Sequence, residues 1–434
     1  MKTAPETHHP FPPALSTRRN FLGAASATTA GLLLPGATRL DAAPAGGVGE
    51  TDDFWYKLAP SDGPYIDTQR DHRAFGFRDG TIYLSEDNAE TWPHRADFAE
   101  AEDIQFSSLL ANGNVVFATA RRIFVADNQL ATVRELTLLD RDGNDYQPHP
   151  LREDEVPGWY FYSLDGVHTF EAEGREMLIW GNYCNVQTGP VPVNIYYSAD
   201  GGETVKIAYS FGRNPAFQHE DAAPADWLGD PDNPLVCRHV HSVSYNPAEN
   251  AFYACTGDID RKIGVGLECH WLRGTYDPAA DTWEWKVVVS SDANSRFKSG
   301  GINFVDGQVY WVADANGPKT IRETYDRGIF RCAPADLADK SKHTRLYDAE
   351  YEIAVMTIDG EVMVVPEYTN ANPYDCGFLF SPDLGRTWGQ YDLADLGEYS
   401  GVRVNPPNGE GWFRIGLRER WLRRAEVLLL KPKA

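Results

Sequence analysis

Sulfur is scarce in this chain: 434 residues carry six cysteines and four methionines. Six cysteines in so long a chain cannot make the dense disulfide framework of a small secreted domain, so a hydrophobic core has to hold the fold. No C-x-x-C pair occurs, which leaves out the usual zinc-knuckle and dithiol signatures. Long apolar runs are missing too. The uncharged stretch from Asn20 to Thr38 is rich in Ala, Gly and Thr, too weakly apolar for a membrane anchor. Basic residues are in deficit, 40 Lys and Arg against 63 Asp and Glu, for a formal net charge of -23. That field repels nucleic acid and anionic membrane surfaces, so neither is expected as a partner. An anionic substrate stays open only where a cleft concentrates Arg, His or a metal. Helical periodicity is absent from residues 54–135, where short apolar runs alternate with turns.

What is present suits a large all-β fold. The chain is 42% hydrophobic and 12% aromatic, with 28 Pro and 38 Gly to make many turns. The stretch from Pro192 to Arg213, PVNIYYSADGGETVKIAYSFGR, reads as two strands around a Gly-Gly turn that carries Asp200. Its S-x-D-x-G-x-T-W pattern recurs complete at Ser381, Asp383, Gly385, Thr387 and Trp388. It recurs again at Ser85, Asp87, Thr91 and Trp92 with Ala89 in the Gly position, while the middle copy has Val205 for Trp. The aspartates lie 113 and 183 residues apart, close to two and three units of about 55 to 60 residues. Three unrelated polar hairpins would show no such spacing. The pattern resembles the Asp-box repeat of sialidase-like β-propellers. That resemblance implies six or seven four-stranded antiparallel blades, with seven favoured, and a last strand, AEVLLLKP, that closes the ring with N-terminal strands.

Residues 1–45 read as an export signal ahead of a single propeller domain, residues 46–434. Ser16 to Leu22, STRRNFL, resembles the twin-arginine export motif, and Ala43-Pro44-Ala45 offers a cleavage site. The resemblance implies a protein exported to the periplasm or beyond, with no membrane attachment after signal removal. Arg121 and Arg122 read as an exposed strand-end pair, and Arg296 and Lys298 as surface cations.

The stretch from Asp140 to Asn185 places His149 on a loop between prolines and His168 near a strand start, both candidates for proton transfer. Asn182 and Tyr183 of the W-G-N-Y run could line a sugar site. In VCRHVHSVSYNPAENAFYAC, strand alternation puts Cys237, His239, His241 and Tyr245 on one face. If Tyr245 pairs near Ala251, His241 falls opposite Cys255, giving two ligands for a structural zinc that Cys269, His270 and Cys332 would complete. Plain packing of buried cysteines is the competing reading. His239 could instead face the central cleft, with Tyr245 beside it.

No R-I-P-like sialidase motif is present, and the repeat argues fold, not reaction. The longer set, H-P at 149, W-G-N-Y, I-Y-Y-S-x-D-G-G, F-G-R-N and R-H-V-H-S-V-x-Y-N-P with T-G-D, resembles ulvan-lyase-type polysaccharide lyases over roughly residues 146–317. The resemblance implies β-elimination on a uronic-acid-containing, anionic polysaccharide. It gives His149 and His168 the base and neutraliser roles, Tyr197 that of proton donor, and Arg213 the substrate carboxylate. Asn182, Tyr183, His239 and Tyr245 would bind sugar, and the enzyme would work as a monomer. A glycoside hydrolase on a uronate-linked sugar and a non-catalytic glycan-binding propeller are the rival readings.

Overall fold

The computed structural model describes residues 37–40, 47–146, 161–164, 166–183, 192–212, 229–257, 269–291, 296–314, 326–368, 377–397, 399, 401–419 and 423–433. These form seven sheets, and among them the only helical pieces are short 3-10 turns. Blades 1 to 6 take residues 65–97, 106–135, 168–210, 239–291, 302–347 and 352–392 in chain order. Blade 7 combines residues 401–432 with the N-terminal strand Phe54–Leu58, which runs antiparallel to the last strand with Phe54 opposite Pro432 and Leu58 opposite Leu428. The expected seven-bladed propeller is therefore what forms, closed by pairing the chain's two ends. Four blades are four-stranded; blades 3, 6 and 7 have six, six and five strands because short segments add to their edges.

Each blade starts at the channel wall and zigzags outward. Links between blades, and between second and third strands, therefore lie at one end of the ring, called the upper end here. First-to-second and third-to-fourth turns lie at the lower end. Apolar residues of facing blades fill the wedges between sheets: Phe75, Phe117 and Phe124 between blades 1 and 2, and Trp271, Trp311 and Phe330 between blades 4 and 5. Each fully buried ring of this kind contributes on the order of 2–3 kcal/mol.

The three Ser-x-Asp turns sit in blades 1, 3 and 6, each between the third and fourth strands. Spacings of 113 and 183 residues thus correspond to two and three blades. All three use one hydrogen-bond scheme. Ser198 donates to Asp200 at 2.9 Å, and Thr204 donates its N–H and hydroxyl to the same carboxylate at 3.0 and 2.6 Å. Ser381, Asp383 and Thr387 repeat it at 2.9, 2.8 and 2.7 Å. In the first copy the Thr91 hydroxyl and amide hold the Asp87 carboxyl below its usual range. Blade 2 makes a related turn with little of the pattern: Asp127 accepts from the N–H groups of Gln129, Ala131 and Thr132.

Candidate functional site

First strands of all seven blades line the channel, and a cavity of about 380 Å³ occupies part of it. Its walls include Arg70, Asp71, Leu109, Asn405 and Pro407, which end the first strands of blades 1, 2 and 7, so the cavity lies toward the lower end. Polar groups here bond mainly to the scaffold. Asn303 bridges Met356 O and Ile358 N at 3.1 and 3.3 Å, Gln69 donates to Pro406 O at 3.1 Å, and Arg70 donates to Leu109 O at 3.0 Å while pairing with Glu176. His168 lines this cavity from the start of the blade 3 first strand.

The upper end holds a continuous band of polar and aromatic side chains. Two β-bulges help to build it. Register shifts between Ile66 and Thr68, and between Val240 and Ser242, leave Asp67 and His241 as the extra residues of their strands, an irregularity that re-aims a side chain. Tyr162, on the link into blade 3, lies against two blade 7 arginines, with the guanidinium carbons of Arg403 and Arg418 at 4.9 and 5.7 Å from its ring centre. Arg403 donates to Ser163 O at 2.5 Å and Gln105 O at 3.3 Å. Burial lowers the Arg403 pKa, with Tyr162 and Asp67 opposing and the Arg418 charge adding to the shift.

Tyr183 continues the band. Its N–H donates to Tyr162 O at 2.8 Å, and the two rings meet edge to face at 5.8 Å. Tyr183 then stacks on His239 with ring centres 3.7 Å apart and meets His241 edge-on at 5.3 Å. His241 Nδ1 is 3.4 Å from Asp314 Oδ2, and Lys298 Nζ is 3.6 Å from the same oxygen, with all three side chains at most 4% exposed. Gly257 makes room for them: a Cβ there would stand 2.6 Å from Lys298 Cγ and 2.9 Å from His241 Nε2. Guanidinium, phenol, imidazole, ammonium and carboxylate groups thus meet in one water-poor band across blades 7, 3, 4 and 5. Such an arrangement can transfer protons and stabilise developing oxyanions.

Of the residues the sequence singles out, Tyr183, His239, His241 and Lys298 come together here. Asn182 is adjacent but wholly buried, its amide accepting from Asn194 N at 2.7 Å and donating to Pro192 O at 3.3 Å. Tyr245 is at the lower end of its strand, donating to Asn250 Oδ1 at 2.8 Å. Tyr197 lies two strands outward from His168, with Ile179 between them, and donates to Asp281 Oδ1 of blade 4 at 2.9 Å. His149 and Arg213 lie outside the described residues.

The zinc set does not converge. The hairpin starts one position from the expected register, with Asn246 opposite Ala251 and Tyr245 opposite Phe252, so Cys255 pairs with Ser242, and His241 beyond it is the bulge residue. The Cys255 thiol donates to Phe297 O at 3.1 Å, His270 Nδ1 bonds Ser290 Oγ at 2.9 Å, and Cys255, Cys269 and Cys332 pack among Trp271, Trp311 and Phe330. Burial pushes the Cys332 thiol up to about 12. Among the described residues no three His, Cys, Asp or Glu side chains are grouped to hold a metal, so these five do not fit a zinc site. Lys298 also corrects its surface reading, being 3% exposed.

Tyr162, Asp314, Arg403 and Arg418 are not found by sequence reasoning. The available signal was an arginine inside an apolar strand run, as in V-R-V and G-L-R, a residue that is costly to bury.

No protein-family profile matches the chain, and no curated protein does. Among solved structures, an ancestral GH74 enzyme aligns with a TM-score of 0.50 at 11% identity, over 89% of this chain and 51% of that one. A Niastella koreensis GH74 enzyme aligns at 0.46 and 12% identity, over 84% and 53%. Penicillium chrysogenum alpha-L-arabinanase complexed with arabinobiose aligns at 0.41 and 12%, over 76% and 93%. The chain spans about half the length of the GH74 structures it matches. The seven sheets themselves define the class by fold: a seven-bladed β-propeller.

Proposed function

We propose that this protein is a carbohydrate-active propeller that cleaves a uronic-acid-containing, ulvan-like polysaccharide by β-elimination. One observation supports the reading above others: phenol, imidazole and guanidinium groups converge at the upper end of the channel through Tyr183, His239 and Tyr162 with Arg403. Elimination requires that the uronate carboxylate be neutralised, the C5 proton removed and the leaving oxygen protonated. His239 and Tyr183, stacked on each other, supply a base and a proton donor. His149 and Arg213 keep the roles that the lyase resemblance gives them, and His168, which lines the cavity toward the lower end, yields its role to His239. Tyr197 gives way to Tyr183, because burial and then the Asp281 carboxylate raise its pKa and make it a poorer acid. No step uses zinc. Export by the residues 1–45 signal and action as a monomer belong to the same proposal. The GH74 neighbour adds a carbohydrate-active enzyme on the same fold, an analogy at the level of architecture.

The test is to incubate the protein with ulvan and other uronate polymers while following new reducing ends and the ultraviolet absorbance of unsaturated uronate. Both signals should rise together, and Tyr183→Phe and His239→Ala should each lower the rate by about 100-fold or more. Reducing ends without the absorbance would make the enzyme a hydrolase. Binding without either signal would make it a glycan-binding propeller.

A further inference from the structure

His168 has no part in the cleavage reading, yet it stands in the wall of the cavity toward the lower end. Each of the seven blades places one hydroxyl, amide or imidazole residue in that wall from its innermost strand: Thr68, Ser108, His168, Ser244, Asn303, Thr357 and Asn405. The Asn405 amide is fixed in orientation, because its Oδ1 accepts from Arg414 Nη1 at 2.5 Å and Nδ2 is left to donate. Gly166, with φ of +84°, makes room beside it. A Cβ at that glycine would stand 3.8 Å from both Asn405 Nδ2 and His168 Nε2, so polar atoms of blades 7 and 3 converge on a point that carries no side chain. Ile302 and Met356 add buried apolar surface to the same wall. Asp71, a wall residue whose side chain is 84% exposed, marks the mouth. The volume of about 380 Å³ is at the small end of the range for ligand sites, about 300–1,000 Å³.

We propose that this cavity is a second carbohydrate site, taking one uncharged sugar unit that enters from the lower end. Sugar hydroxyls both donate and accept, which matches a ring of Ser, Thr and Asn groups, and the C–H face of the sugar packs on Ile302 and Met356. Asn303, tied to Met356 O and Ile358 N, and Asn405, tied to Arg414, are set before the ligand arrives, so little ordering is left to binding. A carboxylate gains less: Arg70, the guanidinium among the described wall residues, already pairs with Glu176 and donates to Leu109 O and Thr169 Oγ1 at 3.0 and 3.2 Å. The site's preference is thus opposite to that of the cleavage site, and it stands or falls independently of β-elimination.

The experiment titrates the intact protein with D-glucose, D-xylose and sodium D-glucuronate, each followed by saturation-transfer NMR. Saturable binding of at least one neutral sugar is expected, weakened about fivefold or more in Gly166→Ala and in Thr68→Val. Tyr183→Phe, in the upper band, should bind that sugar as wild type does. Absence of saturable binding of both neutral sugars overturns the proposal. So does binding unchanged in wall variants that melt like wild type, or binding lost in Tyr183→Phe, since the sugar would then sit at the upper end. Glucuronate binding that Thr68→Val weakens as much as it weakens the neutral sugar overturns the preference for an uncharged unit. Should Gly166→Ala fail to fold, because a Cβ is strained at its positive φ, Thr68→Val keeps the shape, loses the hydroxyl and still has to bind less tightly. Sugar binding without polymer cleavage leaves this site standing and removes the lyase reading. Cleavage without neutral-sugar binding does the reverse.

Discussion

Two sets of polar groups, one at each end of the propeller, are satisfied in opposite ways. At the lower end, Asp87, Asp200 and Asp383 each bond to a Ser two residues before and a Thr four residues after, inside their own turns. At the upper end, Tyr162, Tyr183, His239, Asp314 and Arg403 contact partners in other blades, tens to hundreds of residues away. A locally satisfied turn holds a blade together whatever its neighbours do. A band satisfied only across blades exists once the ring has closed, and its buried charges serve the architecture poorly. The lower turns are scaffold, and the upper end is where catalysis is sought.

The comparison is most sharply tested by cutting one ion pair at each end. Lys298→Met leaves Asp314 buried without its ammonium partner, and a loss of about 3–5 kcal/mol in unfolding free energy is expected. Arg70→Met cuts a pair whose arginine is 37% exposed, and about 1 kcal/mol or less should be lost. Denaturant midpoints measure both. Equal losses would erase the distinction between the ends.

A second cut uses pH. Glu367 ends the second strand of blade 6, 1% exposed, with one oxygen accepting from Gln390 Nε2 at 2.8 Å and the other without a hydrogen bond. Burial raises its pKa from 4.5 to about 7, with the Gln390 hydrogen bond opposing. The folded protein then keeps a proton that the unfolded chain releases above about pH 4.5. Its contribution is complete below that pH and is lost as pH rises through about 7, a change of about 3 kcal/mol. Glu367→Gln should remove that slope in thermal melts taken across the window. Parallel wild-type and variant curves would show that the carboxyl does not titrate there. Asp87, bonded within its own turn, has its pKa moved the other way.

The same local-against-distant contrast decides what the sequence makes legible. The blade architecture, turn positions and ring closure follow from local patterns, the Ser-x-Asp turns at blades 1, 3 and 6 and an apolar last strand that finds Phe54–Leu58, while the count stays at six or seven until the sheets are seen. Tyr183 and His239 are visible as unusual residues at strand ends. What strand alternation cannot show is a bulge. Nor does alternation fix a hairpin's register: Tyr245 pairs with Phe252 and not Ala251, which sets Cys255 opposite Ser242, and the zinc set built on the other register fails with it. Lys298 and Asp314 stand 16 positions apart in the chain and meet only because the first two strands of blade 5 turn back at the lower end and bring both residues level at the upper end. Arg403 and Tyr162 meet across the closed ring, a contact no local pattern encodes.

The smallest effect tests the scaffold turns alone. Ala89 occupies the position held by Gly202 and Gly385 in the other two turns, and all three have left-handed φ values, +66°, +83° and +82°. A Cβ in that region costs about 1–2 kcal/mol, partly offset by the lower entropy of an unfolded Ala relative to Gly. Ala89→Gly should therefore stabilise the protein by about 0.5–1 kcal/mol. Gly202→Ala should do the opposite and by more, since its Cβ would stand 2.6 Å from Val116 Cγ2 and 2.8 Å from Leu110 Cδ1. Melting temperatures read both changes. A turn whose hydrogen bonds close within seven residues transmits neither change to the upper end, so the rate of polymer cleavage there should match wild type in Ala89→Gly; an altered rate would mean that the two ends are coupled through blade 1.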